Sequence, residues 1–227
     1  NAGFSLFSSK SEALGGFNNL EGYRGCVGVN LIITSLIILG GLGFPVMRDL
    51  LVLGRRRRLG EGRPARLRTH TKVVLCTTLA LIGLGTLLFY GLERRRTLNG
   101  LPAGERVLAS YFQSVTARTA GYNTVDFARV GTPALVVIMA LMFIGASPCS
   151  TGGGIKTTTA AILFQAMRSA FRRRPEVEFF GRTVPRQIIR RSIALVTLTV
   201  LVLTAATVAL ASVEDKPLEK LLFEEIS

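Results

Sequence analysis

The chain has 227 residues, 48% of them hydrophobic, with no Trp, a mean hydropathy of +0.42 and a formal net charge of +14. Its apolar residues lie in long runs and its charges lie between them, the pattern a bilayer imposes, which excludes an ordinary soluble domain. Clustered Lys and Arg are also the footprint of phosphate binding, but their placement here points to topology instead.

A helix needs roughly 20 apolar residues to cross the hydrocarbon core. The first run, Cys26 to Met47, is long enough for one span, and no charged leader with a cleavage site precedes it, so the sequence is expected to begin inside a longer protein. Upstream of it lies Ala2-Gly3-Phe4. The segment from Arg48 to Lys72 follows, with nine basic residues against Asp49 and Glu61. Its His70 is a lone histidine among arginines. Val73 to Leu92 is a second span, and Glu93 to Arg106, with Arg94, Arg95 and Arg96, connects it to the next element.

Val107, Leu108, Tyr111, Phe112 and Val115 have helical spacing, which predicts a short amphipathic helix over Glu105 to Thr116. Ala117 to Asn123 is polar and contains one glycine, and a further apolar run begins at Thr132. A span, a short helix, a Gly-containing turn and another span is the order of a re-entrant pore loop. Irregular backbone at membrane depth must find partners in protein, water or ions, and glycine lets successive carbonyls point one way, so Gly3 and Gly121 are placed to line a cation path. Arg118, at the C-terminal end of the short helix, is expected to turn outward and bond that helix's carbonyls or a neighbouring acid.

The third run, Thr132 to Met167, is too long for one span and is interrupted at Gly145 to Thr157, where Pro148 and three adjacent glycines, Gly152, Gly153 and Gly154, disfavour helix. Two half-helices, Thr132 to Ser147 and Ile155 to Met167, joined by a polar loop able to obstruct a pore, are predicted. A nucleotide-binding loop is not, because Ile155 stands between Gly154 and Lys156 where the motif needs Gly-Lys. Lys156 is costly in lipid and is expected to face a pore, an acid or the cytoplasmic interface. Arg168 to Arg191 holds eight basic residues, and Ile188 to Val213 is the last span.

The two Arg-rich segments alternate along the chain and so share one face, which the positive-inside rule makes cytoplasmic; anionic lipid headgroups are a second partner for the same charges. Cys26, Cys76 and Cys149 form no Cys-x-x-Cys pair and read as small packing residues. Phe112-Gln113-Ser114-Val115-Thr116 matches Phe223-Glu224-Glu225-Ile226-Ser227 in spacing, and Ala120-Gly121-Tyr122 matches Ala2-Gly3-Phe4. The chain thus reads as the tail of one repeat, a whole second one and the head of a third.

Thr116-Ala117-Arg118-Thr119-Ala120-Gly121-Tyr122-Asn123, with Ser147-Pro148-Cys149-Ser150-Thr151-Gly152-Gly153-Gly154-Ile155-Lys156-Thr157-Thr158, resembles the Trk/Ktr/HKT superfamily of potassium transporters. The opening Asn1-Ala2-Gly3-Phe4 and the Ser-Pro form of the second motif make it most similar to the KtrB type. The resemblance implies an all-α integral membrane protein, with repeats of helix, re-entrant pore loop and helix around a central pore, incomplete here. Residues 1–47 are then the end of the second repeat, 48–72 a cytoplasmic Arg-rich loop, 73–167 the third repeat, 168–187 a second cytoplasmic loop and 188–227 the start of the fourth repeat. It implies a potassium filter at Ala2, Gly3, Thr119, Ala120, Gly121 and Tyr122, and a gate at Ser150, Gly152, Gly153, Gly154 and Lys156. Cys149 stands where glycine is commoner in the family, and Tyr122 where Phe is more usual. Potassium is the implied transported ion, with sodium as coupling ion in some members, and no cofactor or catalytic residue is implied. A plasma-membrane homodimer with a cytoplasmic nucleotide-binding regulatory ring is the implied assembly, with no nucleic acid. Sodium or mixed sodium/potassium transport is the nearest alternative. A membrane-anchored binding protein that uses its Arg clusters is the alternative of another class.

Overall fold

The computed structural model describes residues 20–59, 66–174, 176–214 and 217–227. Eight α-helices account for most of them: α1 (Val27–Leu42), α2 (Phe44–Arg58), α3 (Thr69–Glu93), α4 (Ala103–Thr116), α5 (Thr132–Phe143), α6 (Thr157–Phe171), α7 (Arg186–Val213) and α8 (Leu218–Ile226). A two-stranded antiparallel hairpin, β1 (Glu178–Phe179) with β2 (Arg182–Thr183), pairs Glu178 with Thr183 and Phe179 with Arg182 between α6 and α7.

Two helices, α3 and α7, are each long and apolar enough to cross a membrane. α7 buries only Ser192 and Thr207; its first turns expose Arg186, Arg190 and Arg191, and from Ile193 onward it exposes a predominantly apolar surface that suits hydrocarbon or further protein better than water. The first apolar run departs from the single span expected of it. α1 ends at Leu42 and α2 leaves at 102° to it. The cause is local. Gly43 holds φ at +83° and Pro45 follows in the first turn of α2, so the chain cannot continue the α1 ladder through this point.

Helix ends also overrun the apolar runs. α2 carries on to Arg58 and α3 starts at Thr69, inside the segment read as an Arg-rich loop, because Arg is a good helix former and hydropathy does not mark where hydrogen bonding stops. α6 likewise runs to Phe171 and α7 starts at Arg186. Asp49 on α2 accepts a hydrogen bond from Thr71 Oγ1 at 2.7 Å and pairs with Arg68 Nε at 3.3 Å, which fixes α2 to the start of α3.

The main core lies around α5. Phe89 of α3, Ala109 of α4, Ala134, Leu135, Ile138 and Met142 of α5 and Phe223 of α8 pack together, with Val125, Phe127 and Val130 from the connection before α5. The rings of Phe127 and Phe223 lie 5.8 Å apart. Phe112 and Phe223, matched by the internal similarity, are both fully buried, one on α4 and the other on α8. α4 is held against α3 by Ser114 Oγ, which donates to the Ile82 carbonyl at 2.8 Å. The three cysteines are free and exposed, so they are not internal packing residues in this chain.

Candidate functional site

α4 has 14 residues, about 21 Å of helix, too short to cross the hydrocarbon. Its C-terminal turn is nonetheless interior: Phe112 to Thr116 are all buried. Burying a helix end requires partners for its last carbonyls, and the following turn supplies them. Ala117 N–H donates to Gln113, Arg118 N–H to Val115, and Ala120 N–H to the Thr116 carbonyl at 3.0 Å.

The turn itself is irregular. Thr119 holds φ at 86° and Gly121 at 76°. Glycine takes this conformation freely, whereas a β-branched residue held there costs on the order of 1–3 kcal/mol, a strain that concentrates at functional positions. Thr116 Oγ1 donates to the Tyr122 carbonyl at 2.7 Å and so fixes the orientation of one peptide of the turn from behind. Gln113, on the preceding turn of α4, reaches Thr124 at 3.3 Å. Tyr122 is half exposed.

The interruption between α5 and α6 is a compact folded loop. α5 stops at Phe143 and α6 resumes at Thr157. Ile155 N–H donates to the Phe143 carbonyl at 3.0 Å, Ala146 N–H to Gly153 at 3.2 Å and Thr157 N–H to Ala146 at 3.2 Å, so the two ends of the loop zip against each other. A Cβ on Gly145 would sit 2.0 Å from the Gly153 carbonyl oxygen, and one on Gly152 would sit 2.5 Å from Thr119 Oγ1 and 2.4 Å from Ala146 Cβ. Only glycine lets the loop close on itself and rest directly against Thr119. Ser150 Oγ donates to the Ser147 carbonyl at 2.6 Å and Thr157 Oγ1 meets Ser147 Oγ at 3.0 Å. Lys156 Nζ donates to the Gly152 carbonyl at 2.7 Å, tying the side chain to its own loop.

Arg118 differs from expectation. It is buried, and its guanidinium reaches the Gly145 carbonyl at 3.5 Å instead of carbonyls of α4. The physical reason is that α4 satisfies its own last carbonyls through the turn, while the break after α5 brings the Gly145 carbonyl within reach of the buried guanidinium.

Thr119, Ala120 and Tyr122 share a cavity of about 520 Å³ with Leu20, Ile33, Ile37 and Gly40 of the α1 side and Thr151 of the loop. The structure therefore brings Thr119, Ala120, Gly121 and Tyr122 together above Gly152, with Ser150, Gly153, Gly154 and Lys156 in the same loop. Ala2 and Gly3 lie outside the described residues. At the approach to the turn, Leu20 N–H donates to the Asn123 carbonyl at 3.1 Å. Next to it, Glu21 has its carboxyl held above the usual carboxylate range by burial and by the charge of Asp126, against the opposing pull of Arg24.

Three residues were missed by sequence reasoning. Gly43 was signalled by Gly-Phe-Pro, a turn-forming triplet inside an apolar run. Thr116 was within the quoted motif but had no role assigned. Glu93, buried at the end of α3, accepts from Gly131 N–H at 2.9 Å and Thr97 Oγ1 at 2.8 Å and ties the end of α3 to the start of α5. No local pattern marks it.

Apolar helices long enough to span, a helix broken at Gly43 and a short helix with an irregular turn define an all-helical integral membrane protein. The chain belongs to the TrkH family of cation transport proteins, whose model matches residues 1–227. It is 38% identical to the Ktr system potassium uptake protein B of Vibrio alginolyticus, with the match covering 100% of this chain and 47% of that protein. To the protein of the same name from Bacillus subtilis it is 35% identical, over 98% of this chain and 51% of the relative. The potassium/sodium uptake protein NtpJ of Enterococcus hirae is 35% identical over 87% of the chain and 43% of its own length. Among solved structures, the crystal structure of the potassium transporter TrkH from Vibrio parahaemolyticus superposes with a TM-score of 0.64 at 18% identity, covering 84% of this chain and 40% of that one, a likeness of fold. The chain spans about half the length of the curated relatives it matches.

Proposed function

We propose that the chain is the central part of the ion-conducting subunit of a Ktr-like system and carries potassium across the plasma membrane through a gated pore, without covalent chemistry. The observation that carries this reading is the strained turn at Thr119 to Gly121, seated at the buried end of α4 and resting on the Gly-rich loop through Thr119 and Gly152. Carbonyls of this turn, with those of Ala2 and Gly3, whose sequence matches it, and of two further repeats, replace the hydration shell of a large monovalent cation. The short helix and turn then act as a re-entrant pore loop. Beneath them, Ser150, Gly152, Gly153, Gly154 and Lys156 form a gate that must move for an ion to pass, since the loop lies directly against the turn. A homodimer and a cytoplasmic regulatory ring complete the system, a reading supported by the "Ktr system" in the names of two relatives.

The test is Gly121→Ser in the complete protein. A hydroxyl-bearing side chain forced into φ of 76° alters the carbonyl ring, so discrimination of potassium over sodium should fall at least several-fold. Unchanged relative permeability removes Gly121 from the filter. Mixed sodium/potassium transport is the second reading, favoured by the name of the Enterococcus hirae relative; sodium flux equal to potassium flux through the unaltered protein decides for it. Sodium as a coupling ion is tested by omitting it from the potassium uptake assay.

A further inference from the structure

The break between α1 and α2 and the break between α5 and α6 are far apart in the chain and face each other in the fold. In an unbroken helix, Phe44 N–H would donate to the Gly40 carbonyl and residue 45 to the Gly41 carbonyl. Pro45 has no N–H to give, and Phe44 N–H instead donates to the Cys149 carbonyl at 3.1 Å. Both carbonyls so released are taken up by the same loop. Ser147 N–H donates to Gly41 at 3.0 Å, Thr151 N–H to Gly40 at 3.4 Å, and Thr151 Oγ1 to Gly40 at 3.3 Å. The groups orphaned by one helix break are thus satisfied by the other, as an apolar surrounding requires. Gly43 is indispensable to this fit, because at its φ of +83° a Cβ would stand 2.3 Å from the Pro148 carbonyl oxygen.

We propose that Gly40, Gly41 and Gly43 form a latch that positions the Gly-rich loop beneath the Thr119 turn, so that the loop leaves the ion path only when its bonds to the α1–α2 elbow open. The proposal rests on reading that loop as a gate. Its consequence is directional. α2 leaves the elbow through Phe44, whose N–H holds Cys149, and extends to Arg58 at the basic end of the molecule. A displacement of α2 therefore pulls on the loop at Cys149 without any ligand touching the loop itself. Asp49, bonded to Arg68 and Thr71, holds this arm at rest.

Gly40→Cys with Thr151→Cys tests the latch in the complete protein freed of its other cysteines, Cys26, Cys76 and Cys149 among them. A Cβ at position 40 lies 3.3 Å from Thr151 Oγ1, within reach of a disulfide. Rubidium flux into vesicles should fall at least tenfold on oxidation and return on reduction, while Gly43→Ala in the same protein should raise flux at least threefold without the regulatory partner. A second arm removes Gly152 to Gly154, with membrane abundance and dimerisation verified. Raised flux from the deletion, with the oxidised pair conducting as well as the reduced one, leaves the gate standing and overturns the latch. Failure of the disulfide to form under oxidation overturns it as well. A deletion protein with unchanged flux and intact regulation overturns the gate itself, and the latch with it.

Discussion

Thr116 shows how one side chain can govern a property expressed by another residue's backbone. It is fully buried, and its hydroxyl holds the Tyr122 carbonyl while its own carbonyl accepts from Ala120 N–H. Thr116→Val keeps the shape and removes the hydroxyl bond, a net loss of about 1 kcal/mol, so potassium over sodium selectivity in the complete protein should drop roughly fivefold while Thr116→Ser stays near the parent. Ion competition in a flux assay measures this. Equal selectivity in all three proteins would show that the Tyr122 peptide keeps its orientation without the hydroxyl. Glu93 works on stability instead. Glu93→Ala leaves Gly131 N–H and the Thr97 donors without their acceptor; the buried Gly131 orphan costs about 1–3 kcal/mol and the half-buried Thr97 donors less. Thermal unfolding in detergent should rank the parent above Glu93→Gln, which keeps one acceptor oxygen, and Glu93→Ala lowest.

At the scale of elements, the strongest expectation is topological. The basic ends of α2 and α6, Arg55 to Arg58 and Arg172 to Arg174, belong on the cytoplasmic face by their charge. Single cysteines replacing Arg55 or Arg172 should resist an impermeant thiol reagent applied from outside, and one replacing Asn99 should react. The reverse labelling would invert the chain and place the Thr119 turn on the wrong side. The elements themselves were legible to different degrees. α3 and α7 were plain because long uninterrupted runs leave hydropathy nothing to confuse. The interruption at Gly145 to Thr157 was plain because Pro and Gly disfavour helix whatever surrounds them. The elbow at Gly43 was not, because two glycines earlier in α1, Gly40 and Gly41, are helical, so glycine count alone does not locate a break. Gly43 and Pro45 bend the chain locally, but the acceptor that satisfies the freed Phe44 N–H is Cys149, more than 100 residues away, and no local window contains it. Arg118 was misplaced for the same reason: its partner, Gly145, is supplied by another break.

For the whole molecule, the filter and gate proposals require four pore loops, and the sequence carries two candidate turns, at Gly3 and Gly121. Expressed by itself in a strain deficient in potassium uptake, the chain is expected not to support growth on low potassium. Growth with this chain and no complementing half would mean that the path does not need the remaining repeats. Their presence would also change what the exposed apolar surfaces of α1 and α7 face, from lipid to protein.

The seating of Phe223 has a consequence for biosynthesis. It is fully buried in the core built around α5, against Phe127, yet it lies about 80 residues downstream of the end of that helix and beyond the whole of α7. Until the ribosome has released α8 and the membrane has accepted α7, the short helix α5 and the turn before it lack one wall. The core around α5 is therefore not finished when its own residues are inserted; it waits for α7 and α8. A chain that ends before residue 223 is expected to leave that core without its Phe223 wall, and so to expose Phe127.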